Sequence, residues 1–201
     1  MNEFEYFSSS IYRDEKKDIV DQTLKSILSH EVALKNFYTQ NNINVSNSLV
    51  HNSFQLEHYI NLFYLKDYFI NTSVSCLKKQ GYNVNNYTFD CNFWLCTVKK
   101  HGFLDLHIHS NSQMCALFFL ETPVLGSYPI FSDPRAGKLM IELEEYKTGV
   151  LNEQSSEVHF DNVIPGTVLF YNSWLSHKIS SNRSESDTKF IHFILNHKRK
   201  I

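Results

Sequence analysis

After Gly81 the sequence changes its period, and that change constrains the fold more than any other feature. Tyr87, Phe89, Cys91 and Phe93 alternate with polar residues, which is strand behaviour. Short strand-like runs follow at 94–99, 103–109, 113–121, 128–131, 138–146, 167–171, 177–180 and 189–196. Turn signals such as Gly126-Ser127, Asp133-Pro134 and Pro165-Gly166 separate several of them. Many short strands with no helices between them argue for a sandwich or a barrel.

The part before Gly81 reads differently. Over residues 14–30 the apolar positions Ile19, Val20, Leu24, Ile27 and Leu28 recur at helical spacing. A polar, Asn-rich stretch at 39–52 reads as loop, and a second helix is expected over 53–80. Ser53 is a candidate N-cap, with Leu56, Ile60, Phe63, Tyr64, Tyr68 and Val74 on the buried face and Gly81 closing the helix. The expectation is therefore an α+β protein of one domain over 1–201, with a helical part at 1–81 packed on a β part at 82–201.

The composition fits such a domain: 201 residues, 42% of them apolar and 14% aromatic, with only 6 Gly and 4 Pro. A net charge of −2 and a basic run limited to Lys198-Arg199-Lys200 argue against a nucleic-acid partner. Cys76, Cys91, Cys96 and Cys115 show no C-x-x-C spacing. Residues 1–12 do not resemble a signal peptide, and no apolar run reaches the roughly 18 residues of a membrane helix. The expectation is a cytoplasmic protein with free thiols and no membrane partner.

Ten histidines are present, and two stand out. His30, His51 and His58 form no metal-spaced pair, His101 and His197 sit beside lysines, and His159 precedes a loop. The segment 103–109 alternates strictly, sending Leu104, Leu106 and Ile108 to one face and Asp105, His107 and His109 to the other. Two imidazoles two residues apart on one strand face can converge on one ion, and neutral imidazole suits iron, zinc, copper or nickel. The other reading is a polar, solvent-facing strand. His177, after the run Gly166-Thr167-Val168-Leu169-Phe170-Tyr171 and a turn, would complete a three-ligand facial set. Such a set leaves positions open for substrate, as catalytic metal sites do.

The chain resembles the Fe(II)/2-oxoglutarate-dependent oxygenases, especially a branch of small bacterial and phage members. The resemblance begins at Trp94 and runs through the histidine pair into Phe118-Phe119-Leu120-Glu121-Thr122-Pro123. It continues through Phe131-Ser132-Asp133-Pro134-Arg135 and ends with Pro165–Phe170 and Trp174-Leu175-Ser176-His177. It implies a double-stranded β-helix of the jelly-roll or cupin type, with the N-terminal helices packed on the sheet. It also implies Fe(II) and 2-oxoglutarate as cofactors, O2 and a small-molecule or peptide substrate as partners, and hydroxylation of a C–H bond. The family takes its ligands from a His-x-Asp pair and a later His. His107 and His177 match the two histidines, whereas His109 stands in the carboxylate position. Asp105 is then expected to orient an imidazole from behind.

The family anchors the distal carboxylate of 2-oxoglutarate with Lys or Arg on the strand after the second histidine. Lys189, twelve residues beyond His177, matches that place. Register decides whether it can serve: one residue of shift turns Lys189 to solvent and His192 or Asn196 to the cavity. Arg135 is a second candidate anion partner, a substrate contact at the rim, or a turn residue capping Asp133. Two other readings stand beside the oxygenase. One is a cupin-type three-histidine dioxygenase that does not use 2-oxoglutarate; the other is a non-catalytic binding module on the same fold.

Overall fold

The computed structural model describes residues 8–40, 48–53, 55–135 and 156–200. In chain order the elements are β1 (Ile11–Glu15), α1 (Val20–Gln40), β2 (Val50–Asn52), α2 (Phe63–Lys79), β3 (Tyr87–Val98), β4 (Leu104–His107), β5 (Met114–Glu121), β6 (Pro129–Ser132), β7 (Glu157–His159), β8 (Thr167–Asn172), β9 (His177–Ile179) and β10 (Thr188–Arg199). Single 3-10 turns at Lys17–Ile19 and Ile60–Leu62 lead into the two helices. The strand expected at 138–146 lies outside the described residues.

The strands form two antiparallel sheets, ordered β1-β8-β5-β10-β3-β2 and β4-β9-β6-β7. Apart from β2-β3 and β6-β7, neighbours in each sheet are not consecutive strands, the crossover pattern of a double-stranded β-helix. Continuous apolar runs in the central strands explain the two-sided burial of the larger sheet. Met114, Ala116, Phe118 and Leu120 of β5 join one core cluster, and Cys115, Leu117 and Phe119 join the other. The first cluster lies between the sheet and the helices; the second fills the space between the two sheets.

Helix α2 buries Leu65, Phe69, Ser73, Cys76 and Leu77. This stripe sits one residue away from the expected one: Ile60 and Phe63 are exposed, while Tyr64, Tyr68 and Val74 flank the core. Ser53 does not cap the helix; its hydroxyl accepts the Leu95 N–H at 2.9 Å. The expected helix end is present. Gly81 has φ +88°, its N–H donates to Lys78 O, and Tyr82 N–H donates to Leu77 O, which satisfies the last carbonyls in a Schellman turn.

The N-terminal part is not purely helical as expected, because β1 and β2 supply both edges of the larger sheet. β1 is held by more than its ladder. Tyr68 Oη donates to Asp14 at 2.7 Å, and Lys16 N–H donates to Gly166 O at 2.7 Å. Gly166, at φ +100°, lies so close that an added Cβ meets the Lys17 backbone at 2.8 Å.

Phe69 is fully buried, with its ring 4.1 Å from Phe193 and within 6.4 Å of Phe93, Phe118 and Phe170. Phe69→Ala is expected to lower stability by about 3–5 kcal/mol in urea unfolding. A loss under about 1 kcal/mol means that α2 does not key the sheet.

Candidate metal centre

His107 ends β4 and His177 opens β9, and the two face each other directly in the ladder. A register irregularity between Leu104 and His107 breaks the alternation predicted for 103–109. Leu104 therefore packs in the inter-sheet core while His107 also turns inward. Leu106 and Ile108, expected to share a face with Leu104, are exposed instead. His109 lies just past the strand, where its N–H donates to Ser173 O at 2.9 Å and ties it to the turn before β9.

These three histidines come together: one donor atom from each lies within 4.8 Å of the other two. Ring centroids are 4.4 Å apart for His107–His177, 5.0 Å for His107–His109 and 5.3 Å for His109–His177. Two of the rings are oriented by the same local device. His107 Nδ1 lies 2.7 Å from Asp105 O, and His177 Nδ1 lies 3.0 Å from Leu175 O. A carbonyl can only accept, so both Nδ1 atoms carry the proton and both Nε2 atoms present a lone pair. His109 Nε2 is buried with no hydrogen-bond partner. The donor set of neutral imidazoles fits a divalent metal.

Asp105 supports the site differently from the expectation. Its side chain is exposed, and its main-chain carbonyl holds His107. Lys189 falls in β10 opposite Thr97 and on the pleat side of Ile191, Phe193 and Leu195, which belong to the helix-side core. It thus faces away from the histidines, and its ammonium pairs with Glu121 at 3.1 Å. Arg135 is exposed and forks onto Asp133, with contacts as short as 2.6 Å. The anchor role expected for these two cations does not fit their placement.

Register puts His192 on the inner side of β10, the alternative that the one-residue shift foresaw. It is 5% exposed, and its ring lies against Trp94 at 4.7 Å and His109 at 4.6 Å. Tyr171 of β8, fully buried, places its hydroxyl 3.1 Å from His177 Nε2 and 3.4 Å from His192 Nε2. Neither Tyr171 nor Cys115 was singled out from the sequence. The available signal was inward parity, since Tyr171 pairs with Cys115 and shares its cluster.

Burial keeps these imidazoles neutral. Desolvation first, and then the neighbouring His107, bring His109 down to about 4. Desolvation takes His177 to about 3 against the raising effect of Leu175 O, with His107 and His109 adding to the fall. His192 is pushed far down by the same burial. The unfolded chain therefore binds protons that the folded chain refuses. The resulting contribution to stability is complete above about pH 6.5 and is lost as pH falls through the folded values. The metal-free protein is expected to show a falling urea midpoint between about pH 6.5 and 4. A midpoint flat across that window contradicts the burial of neutral rings.

Comparison with known families matches residues 92–193, just over half of the chain, to the family described as "Putative 2OG-Fe(II) oxygenase". A prolyl-4-hydroxylase from Pseudomonas putida is similar in structure, with TM-score 0.55 and 10% identity over 96% of this chain and 94% of that one. The alpha-ketoglutarate-dependent carbocyclase SnoK from nogalamycin biosynthesis gives TM-score 0.58 and 10% identity over 96% and 83%. A Trichoplax adhaerens prolyl hydroxylase, solved with a peptide fragment of hypoxia inducible factor, gives 0.55 and 10% over 94% and 84%. At such identity the likeness speaks for the fold. No curated protein matches the sequence.

Proposed function

The chain belongs to the 2OG-Fe(II) oxygenase family, and from that premise we propose that His107, His109 and His177 hold its iron. The enzyme class and both cofactors, Fe(II) and 2-oxoglutarate, follow from membership. The residue assignment rests on one observation, the convergence of three imidazole donors on a point reached from β4 and β9. Bound iron with 2-oxoglutarate and O2 supplies the oxidising power, leaving succinate and CO2 as co-products.

The chain's own groups then have definite tasks. The carbonyls of Asp105 and Leu175 fix the protonated Nδ1 atoms, which aims both Nε2 lone pairs at the metal. His109 is a neutral ligand where the family carries a carboxylate, so the site keeps one more positive charge. Charge alone then holds Fe(II) less tightly, and an anionic co-ligand gains in compensation. Tyr171 Oη lies 3.1 Å from His177 Nε2, so this phenol would be placed to donate to an oxygen held at the site. Phe131, Leu117, Tyr171 and Leu175, buried in the inter-sheet core, exclude water from this side.

The substrate is read more coarsely. Phe103, Leu106, Ile108 and Trp174 are each 44–55% exposed on the segments that carry the histidines. They suit the apolar part of a small molecule or of a peptide, and hydroxylation of a C–H bond there is the expected outcome. Residues 1–201 act as one domain in this reading, supported by β1 and β2 completing the main sheet. All four cysteines are free and buried, which supports a reducing cytoplasmic setting. Among the described residues no helix is long and apolar enough to cross a membrane.

Anaerobic addition of Fe(II) and then 2-oxoglutarate to the metal-free protein is expected to give a visible charge-transfer band that needs both. His177→Ala should abolish it, and full iron binding by that variant removes His177 from the ligand set. His109→Asp should bind Fe(II) at least as tightly as the parent; loss of iron in it contradicts the alignment. Iron bound without any such band would favour a cupin-like three-histidine chemistry. Lys189→Ala should leave the 2-oxoglutarate concentration for half-saturation within about threefold, about 0.7 kcal/mol. A hundredfold rise would return Lys189 to the anchor role.

A further inference from the structure

A second set of donors converges behind the first. One atom each from His109, Cys115 and His192 lies within 4.8 Å of the other two. This set is more deeply buried, with Cys115 at 0% and His192 at 5% exposure. Two of its members carry orphaned groups: His192 Nδ1 and His109 Nε2 are buried and have no hydrogen-bond partner. A buried polar nitrogen without a partner is costly, and one such pair beside a thiol calls for an explanation. The Cys115 thiol has only a weak contact, with Ser112 Oγ at 4.0 Å.

We propose that His109, Cys115 and His192 form an inner metal position that takes a thiophilic divalent ion of the zinc type and shares His109 with the outer set. The donor chemistry separates the two positions. Three imidazoles accept many divalent ions, whereas one thiolate and two imidazoles favour zinc or cobalt. The hydrogen-bond chain favours His192 as a ligand. Tyr171 donates to the His177 Nε2 lone pair, so the proton between Tyr171 and His192 belongs to His192 Nε2. That leaves Nδ1 of His192 with a free lone pair, on the atom that lacks a partner.

On coordination the Cys115 S–H bond breaks, its proton passes to buffer, and the sulfur lone pair binds the ion; no electron is transferred. His109 serves both positions, so an ion at the inner one withdraws an imidazole from the outer one. Zinc thereby opposes iron loading through a shared ligand rather than by direct displacement. This inference does not depend on the use of 2-oxoglutarate.

The test is a titration of the metal-free, reduced full-length protein with Co(II), read by near-ultraviolet absorption. A thiolate-to-cobalt charge-transfer band should grow and saturate at one ion per chain in the parent. It should be absent in Cys115→Ser and at least tenfold weaker in affinity in His192→Gln. It should persist in Cys96→Ser, which alters the other thiol of the inter-sheet core, and in His107→Ala, which alters only the outer set. Far-UV circular dichroism checks that each variant folds. No band in the parent overturns the proposal, as does a band that survives in folded Cys115→Ser or vanishes in Cys96→Ser. If Cys115→Ser does not fold, retention of the parent's affinity in His192→Gln overturns it equally. Failure of the outer site would show instead in the iron titration, as no band in the parent or as a band that survives in His107→Ala.

Discussion

A strand that alternated without interruption from Phe103 to His109 would put Leu104 and His107 on opposite faces. The irregularity between Leu104 and His107 lets both turn inward. Everything at the site depends on that local break. It seats Leu104 in the inter-sheet core as an anchor, brings His107 opposite His177, and sends Leu106 and Ile108 outward. The bulge is therefore where a packing residue and an inward-facing histidine are reconciled in one short strand. A one-residue slip there exchanges histidine for leucine.

The second consequence is electrostatic. Four imidazoles gather with ring centroids between 4.4 and 6.5 Å, from β4 and its exit, β9 and β10. Burial keeps three of them, His109, His177 and His192, uncharged. The fold stores an array of uncharged lone pairs, with two buried nitrogens left unpaired. That arrangement is costly for the bare protein and favourable for any cation that enters. Sites built this way trade stability of the empty state for affinity.

Several strands were legible, most as short apolar runs bounded by turn signals: β5, β8, β9 and β10 lie within about three residues of their expected limits. Short pieces were not. β1, β2 and β7 hold three to five residues each, too few for a period, and they exist because a neighbour offers a ladder. The helix stripe on α2 was displaced because Ile60 and Phe63 belong to a 3-10 turn and a first helical turn outside the packed face. In the site, His107 and His109 could be picked out from their spacing, since a His-x-His pair needs only local geometry, while His177 rested on its place after an apolar strand and on the family resemblance. Lys189 could not be placed, since its face depends on pairing with Thr97 and on the shift beside Phe190. Tyr171, Cys115 and His192 were hidden in apolar runs, where a polar side chain looks like filler until the facing strand is known.

The placement of β1 bears on how the chain acquires its fold. Ile11 pairs with Tyr171 and Glu15 with Thr167, so the first strand waits for one of the last. At ribosomal speeds of about 5–20 residues per second, that delay is on the order of 10 seconds. Through that interval the N-terminal segment has no ladder to join. The sheet contacts of the helix α1 that follows it must wait as well. Closing so long a loop slows folding more than it costs stability. The nascent chain thus holds an exposed strand of β-prone residues, Ile11 and Tyr12 among them, while its partner is still being made. The charges of Arg13, Asp14 and Glu15 within that strand guard it against pairing with other chains.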